Sequence, residues 1–424
     1  MASSSHPAAA GTLSEPGGHP DFTALDFTEP STFVENDMSR IWHAMRHRQP
    51  VYLHPENGSA PAFWMLTRYE DIVGVYRDSK RFTSERGNVL QALLAGQDSG
   101  AGRMLAVTDG SRHTELRSVL SKAFAPRNIS YLADRIKTNT RKIFEGLLET
   151  GQCDIAHEIA EFLPMNTICD LLGVPEADRA QLLAANQSAL SSQRPDQSAL
   201  DSQTARNDIV MYFADLAARM RRAPGDNVIG VLVSNPVANR PLSDIDIALN
   251  CYSLVLGGDE TSRLSIISAV LALIENPDQW ARLRRGEVDL DLATEEVLRW
   301  ASPTMHFGRR ALEDVTVGGQ KIRAGDIVTL WNASANRDEE QFTDPGVFDL
   351  GRTANKHVSF GMGRHFCIGS ALARVEIRAV LEELGRFPYD MRLDGVPAPI
   401  YSNFLNGYCS LPVTFTDPQT DARP

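Results

Sequence analysis

The 424 residues include only five cysteines, Cys153, Cys169, Cys251, Cys367 and Cys409, scattered and odd in number. That spacing excludes a disulfide framework, a four-cysteine zinc site and an iron–sulfur cluster, and it fits a reducing compartment. No uninterrupted apolar run reaches the length of a membrane span, and no basic start leads into a hydrophobic block. The expectation is a cytoplasmic protein with no membrane partner. Basic residues are the minority charge, 42 Lys and Arg against 54 Asp and Glu for a net charge of −12, which argues against nucleic acid as a partner. Internal repeats and long linkers are also missing. The first 22 residues have almost nothing to bury, so a disordered tail is expected over 1–22 and one large domain over 23–424.

What remains is ordinary globular composition with a mainly helical pattern and small sheets. "PVYLHP" and "AFWMLT" flank a turn-forming "ENGSAP" and read as a hairpin, with "YEDIVGVYRDS" as a helix behind it. A capped amphipathic helix is expected from Asn128 to Gly151, and more helices through about residue 285. Alternation broken by glycine turns marks strands over 309–331, and "YSNFLNGYCSLPVTF" is strand-like again.

One helix stands out. From Ser243, with Asp246 three residues on as in a capping box, the chain runs mostly apolar to about Asn276, roughly 50 Å at 1.5 Å per residue. Its centre reads "LGGDETSR". Each interior glycine costs about 1 kcal/mol relative to alanine, so Gly257 and Gly258 either make room for something flat or bulky or permit close helix–helix packing. Glu260 and Thr261 follow, and a buried acid and hydroxyl need partners or a task.

A second stretch, "FGMGRHFCIG" from Phe360 to Gly369, places a lone cysteine after two glycine turns and a histidine and just ahead of a patterned helix. Glycines at 361, 363 and 369 allow tight turns that bring backbone N–H groups to the Cys367 sulfur, and the start of the next helix also favours a thiolate. Alone, Cys367 would read as an inert buried thiol. In this setting the turns and the helix start favour a thiolate instead.

The stretch resembles the FGxGxHxCxG signature of the bacterial cytochrome P450 haem-thiolate monooxygenases, and "ALAR" follows as it does there. Glu296 and Arg299 in "EEVLRW" match the family's ExxR motif, and Arg352 matches the arginine that completes that ion-pair triad. "GGDET" resembles AGxET, with Gly257 where alanine is commoner. The resemblance spans the chain after its tail and implies a single mainly α domain with small β-sheets, with haem between the long helix and the cysteine loop.

It implies more about residues. Cys367 is the axial thiolate to the iron of a b-type haem, with Gly258, Phe360 and Gly369 beside the macrocycle. His113, Arg117, Arg309 and His365 match positions that hold the two propionates, Arg310 being the alternative to Arg309. Thr261 is too weak an acid to deliver a proton alone; it positions a water, and Glu260 exchanges protons with solvent behind it. O2 is the co-substrate. Electrons come from a ferredoxin with its reductase, since no flavin or iron–sulfur module is present, and Arg103, Arg112, Lys122 and Arg364 are candidates for docking the acidic carrier.

The reaction implied is insertion of one oxygen atom into an organic substrate, by hydroxylation or epoxidation, in a monomeric enzyme that tailors secondary metabolites such as antibiotics. A peroxide-driven peroxygenase and a non-catalytic haem sensor or recruitment protein are the alternatives, and the Glu260–Thr261 pair weighs against both. Residues 186–203, rich in Ser, Gln and Asp and broken by Pro195, fall where the family carries a mobile lid. Their polarity suggests an open channel for a large, polar or carrier-tethered molecule. Leu254, Met305, His306, Phe307, Phe404, Leu405 and the loop at 88–106 are expected to contact it.

Overall fold

The hairpin between Val51 and Leu66 forms with Val51 opposite Leu66 and His54 opposite Phe63. Its second strand, Phe63–Leu66, is buried throughout because Ile327–Leu330 pairs in parallel along its other edge. Phe307–Ala311 and Phe82–Thr83 complete a five-stranded sheet. Gly318 and Gly319, both at positive φ, make the turn of the separate Val315–Val317 and Gln320–Ile322 hairpin. The strand-like C-terminal stretch supplies Tyr408–Ser410 and Pro412–Thr416 to two further small sheets.

The computed structural model describes residues 21–58, 60–189 and 199–417. The expected tail and the middle of the 186–203 stretch therefore lie largely outside the described residues. The rest is mainly helical. Pro126–Leu147 begins two residues ahead of the expected Asn128, since Pro126 has the fixed φ a first helical turn needs. The Asn128 amide instead donates to the Ala123 carbonyl at 3.0 Å.

The long helix runs Asp244–Glu275 and opens on the expected capping box of Ser243 and Asp246. Helices Phe162–Leu172, Ala199–Met220, Leu290–Ala301 and Ser370–Arg386 pack against it. They share one large apolar core that includes Ile168, Phe213, Val255 and Ile377. Among the described residues no helix is long and apolar enough to cross a membrane.

Candidate active site

The cysteine loop is shaped by two left-handed glycines. Gly361 and Gly363 have φ of 64° and 73°, and a Cβ on Gly363 would lie 2.5 Å from the Tyr76 carbonyl oxygen. Gly369 is different: its φ of −83° is open to any residue, and its Cβ would only touch Cys367 Sγ at 3.9 Å. The Cys367 amide donates to the Phe360 carbonyl at 3.0 Å, which closes the loop. Burial pushes the Cys367 thiol up, while the Gly369 and Ser370 amides and the Arg117 and Arg374 guanidiniums pull it the other way. Binding to a metal cation would displace that proton. Arg374 stacks 4.7 Å over the Phe360 ring and pairs with Glu295 at 2.6 Å, which fixes the ring beside the sulfur.

Cys367 opens into a cavity of about 1520 Å³ whose opposite wall is the centre of the long helix. A single small ligand usually takes about 300–1,000 Å³, so there is room for a macrocycle and a substrate together. The two glycines divide the two readings between them. A Cβ on Gly257 would meet nothing within 4 Å, whereas one on Gly258 would fall 2.7 Å from Ile168 Cδ1. Gly257 thus keeps space open, and close helix packing accounts for Gly258, although its backbone also borders the cavity.

Thr261 lines the cavity and donates to the Gly257 carbonyl at 2.6 Å. That leaves its oxygen free to accept a hydrogen bond from the cavity side. Glu260 is buried and pairs with Arg263 at 3.1 Å. It reaches the cavity too, next to Thr261. Glu376, which no motif flagged, also reaches the cavity. Burial pushes its carboxyl up to about 7 while Ser262 Oγ donates to it at 2.6 Å. An acid on the otherwise apolar stripe of Leu372, Ala379 and Val380 was the available signal.

The expected propionate ligands converge below. Arg309 is 5% exposed, donates to its neighbour Gly308 at 2.7 Å, and pairs with no carboxylate among the described residues. Burial lowers its pKa, and its guanidinium lies 5.4 Å from the Tyr76 ring centre. Arg310 is outside the cavity lining and bonds the Gly325 carbonyl, so the choice falls on Arg309. Arg117 lines the cavity and donates to the Phe366 carbonyl at 2.7 Å. His365 is held by Asp109 at 2.8 Å. Burial raises the Asp109 carboxyl, but bonds from His365, Thr83 and Ser84 outweigh it and hold it well below the usual range. Asp109 was missed because nothing local marks a partner so distant in sequence. His113 lies behind the lining with its ring 4.4 Å from that of His365, and its buried Nε2 has no partner. Burial first, then the charges of His365 and Arg117, push it down to about 4.

The Glu296–Arg299–Arg352 triad assembles as expected. Arg299 grips Glu296 through two bonds of 2.8 Å, with both side chains fully buried, and Arg352 reaches Glu296 at 3.1 Å. Among the expected substrate contacts, Leu254, His306, Phe307, Phe404 and Leu405 line the cavity. Met305 does not. It is buried instead in the apolar cluster that holds Trp42 and Trp331. His306 is fully buried, pushed down to about 3 by that burial, and accepts from the Leu90 amide at 3.2 Å, which ties the 88–106 loop to this wall.

The expected docking residues differ in what they bond. Arg103 pairs with Asp246 at 2.7 Å, Arg112 bonds the Gly102 carbonyl at 2.7 Å, and Lys122 bonds Asn235 at 2.5 Å. Arg364 is exposed and makes no ion pair among the described residues. Of the four, Arg103 alone is neutralised by a carboxylate, while Arg112 and Lys122 bond neutral groups and keep their charge.

A helical fold with a lone cysteine facing a large cavity, and beside it a buried arginine that pairs with no carboxylate among the described residues, defines a haem-thiolate protein. The Arg309 charge and the unpartnered His113 Nε2 suit propionates, and the open face of Gly257 suits a flat group. The chain belongs to the cytochrome P450 family: the family model for cytochrome P450 matches residues 290–405. Cytochrome P450 NovI of Streptomyces niveus is 42% identical over 392 residues, 92% of this chain and 96% of that protein. The crystal structure of P450 OxyD, involved in the biosynthesis of vancomycin-type antibiotics, superposes with a TM-score of 0.84 at 32% identity, covering 93% of this chain and 100% of that one. A Mycobacterium marinum cytochrome P450 solved with pseudoionone gives 0.84 at 33%, covering 92% and 98%. The chain is an oxygen-incorporating oxidoreductase, with haem on a cysteine thiolate and O2 as the family's cofactor and co-substrate.

Proposed function

We propose that this enzyme hydroxylates or epoxidises an elongated secondary-metabolite intermediate that is apolar at its reacting end and polar at the other. The observation that carries the reading is the two-part cavity. Toward Cys367 the lining includes Phe307, Phe404 and Leu405; farther up it is Tyr252, Ser253, Leu254, Gln203, Arg206 and Asn207. Tyr252 lies nine residues before Thr261 on one helix, about 13–14 Å at 1.5 Å per residue. The Tyr252 hydroxyl has no partner among the described residues, and Arg206 spends only Nε, on the Ala189 carbonyl at 3.3 Å. The printed connection of OxyD with antibiotic biosynthesis supports the same class of role.

When bound, haem of the b type supplies the binding and reductive splitting of O2. Cys367 Sγ would hold its iron, Arg309, Arg117 and His113 its propionates, and Phe360 and Gly369 flank the sulfur. Thr261 orients a water within the cavity, and Glu260, steadied by Arg263, is the acid behind it. Phe307, Phe404 and Leu405 exclude bulk water from the reacting end. Electrons arrive from a separate ferredoxin and its reductase, and the exposed Arg364 beside the cysteine loop is among the charges left to dock the ferredoxin. The five free cysteines fit a cytoplasmic setting.

Two measurements test the reading. In the Thr261→Ala variant haem content stays at the wild-type level, while reducing equivalents shift into hydrogen peroxide by severalfold. Unchanged coupling of electron use to product would favour a peroxygenase or sensor. Optical titration of the haem band against a panel matched for length should favour compounds whose polar group lies about 13 Å from an apolar end. Preference for short terpenes or for fully apolar compounds would contradict the substrate reading.

A further inference from the structure

Asp259 is 4% exposed and stands on the face of the long helix turned away from the cavity. Its Oδ2 accepts from Asn186 Nδ2 at 2.6 Å, on helix Glu176–Ala189. The other carboxylate oxygen, Asp259 Oδ1, and the amide oxygen, Asn186 Oδ1, are both buried without a partner. With the carboxyl ionised both unpartnered atoms are acceptors, which cannot bond each other, and each carries a desolvation penalty. One proton on the carboxyl removes both penalties, because its O–H can donate to the amide oxygen while the existing bond stays in place.

The surrounding charges agree with that arrangement. Glu260 adjoins Asp259 on the same helix, and Glu376 faces it from helix Ser370–Arg386. The nearby Cys169 thiol, on helix Phe162–Leu172, is pushed up to about 12 by burial and is neutral. Arg263 is the facing cation, and it is bonded to Glu260, with Glu161 also acting on it. Three acids, Glu260, Asp259 and Glu161, thus share one guanidinium. Burial, reinforced by Glu260, holds the Asp259 carboxyl well above its usual range.

We propose that Asp259 is a positioning residue, kept as the neutral carboxylic acid in a two-bond pair with Asn186, so that the Arg263 charge is left to Glu260. The pair also pins the long helix to Glu176–Ala189 one turn from Thr261. Only the kinetic arm below rests on the role proposed for Glu260 and Thr261; the other two stand without it.

The sign of the pH effect follows from linkage. Above the ordinary carboxylate range the native state keeps a proton that the unfolded chain has released, so wild-type stability falls as pH rises through that window. The Asp259→Asn holoprotein has no such loss. It should melt at or above the wild-type temperature at pH 8, with the gap narrowing as pH falls toward 4. A variant that melts lower at pH 8 would show an ionised Asp259 paired with Arg263 and overturn the proposal. In a Glu376→Gln background, infrared spectra should show a protonated-carboxyl carbonyl band that Asp259→Asn removes; no such change would also overturn it. Kinetically, Asp259→Ala should lose severalfold more electrons to peroxide, and Asp259→Asn should restore wild-type coupling. Equal defects in both variants would remove the positioning role while leaving the melting and infrared results to judge the pair.

Discussion

Replacing Arg299 by alanine should abolish accumulation of folded holoprotein. Arg299 and Glu296 are each 0% exposed, and the arginine makes two bonds of 2.8 Å to the carboxylate. Its remaining N–H groups satisfy the carbonyls of Asn336 and Pro345, both at 2.9 Å, and of Val347 at 3.2 Å. These carbonyls belong to the segments that lead toward the cysteine loop. Removing one partner of a buried ion pair costs about 3–5 kcal/mol, and the Asn336 carbonyl, left without its donor, adds on the order of 1–3 kcal/mol, while the Pro345 and Val347 carbonyls keep bonds from Arg337 and Arg352. Total stability is typically about 5–15 kcal/mol, so this one change consumes most of it. Arg299→Lys keeps the charge but loses the planar fork and should fall between. Circular-dichroism melting and haem content per chain decide the matter. A variant melting within a few degrees of wild type with full haem would show that the triad is dispensable.

Cys367→Ser should have the opposite profile, with little effect on the protein and a complete effect on the metal. The side chain lines the cavity, so the substitution leaves the loop bonds, such as that from the Cys367 amide to Phe360, in place. Apoprotein melting should shift by less than about 1 kcal/mol, as for other changes that create neither a cavity nor an unpaired group. A hydroxyl is a poor substitute for a thiolate. The strongly red-shifted Soret band that thiolate-ligated haem gives when reduced under carbon monoxide should vanish. Persistence of that band would assign the ligand elsewhere, with Cys251, Cys169, Cys153 and Cys409 as the other thiols.

What could be read in advance depended on how local the contacts are. The glycines and cysteine of Phe360–Gly369, the Ser243 cap and the Glu296–Arg299 spacing all act over a few residues, and each was visible in the sequence. Arg309, too, could be placed, since its unpaired burial agrees with its motif position. The partners that complete these groups come from far along the chain. Asp109 on His365, Tyr76 beside Arg309, Ile168 under Gly258 and Asn186 on Asp259 are assembled by helix packing, which no spacing encodes. Arg103 looked available for a redox partner because Asp246, which neutralises it, lies 143 residues away. Met305 is drawn out of the lining by a cluster with Phe27, Trp42 and Trp331, residues remote in sequence on either side of it.

The decisive measurement follows oxygen itself. Holoprotein supplied with a ferredoxin, its reductase and a compound that shifts the haem band should convert that compound under isotopically heavy oxygen gas to a product carrying one heavy atom. With heavy water and ordinary oxygen, the product should carry none. Label arriving from water, or equally fast product formation from hydrogen peroxide without oxygen or electrons, would contradict a monooxygenase built around Cys367 and Thr261.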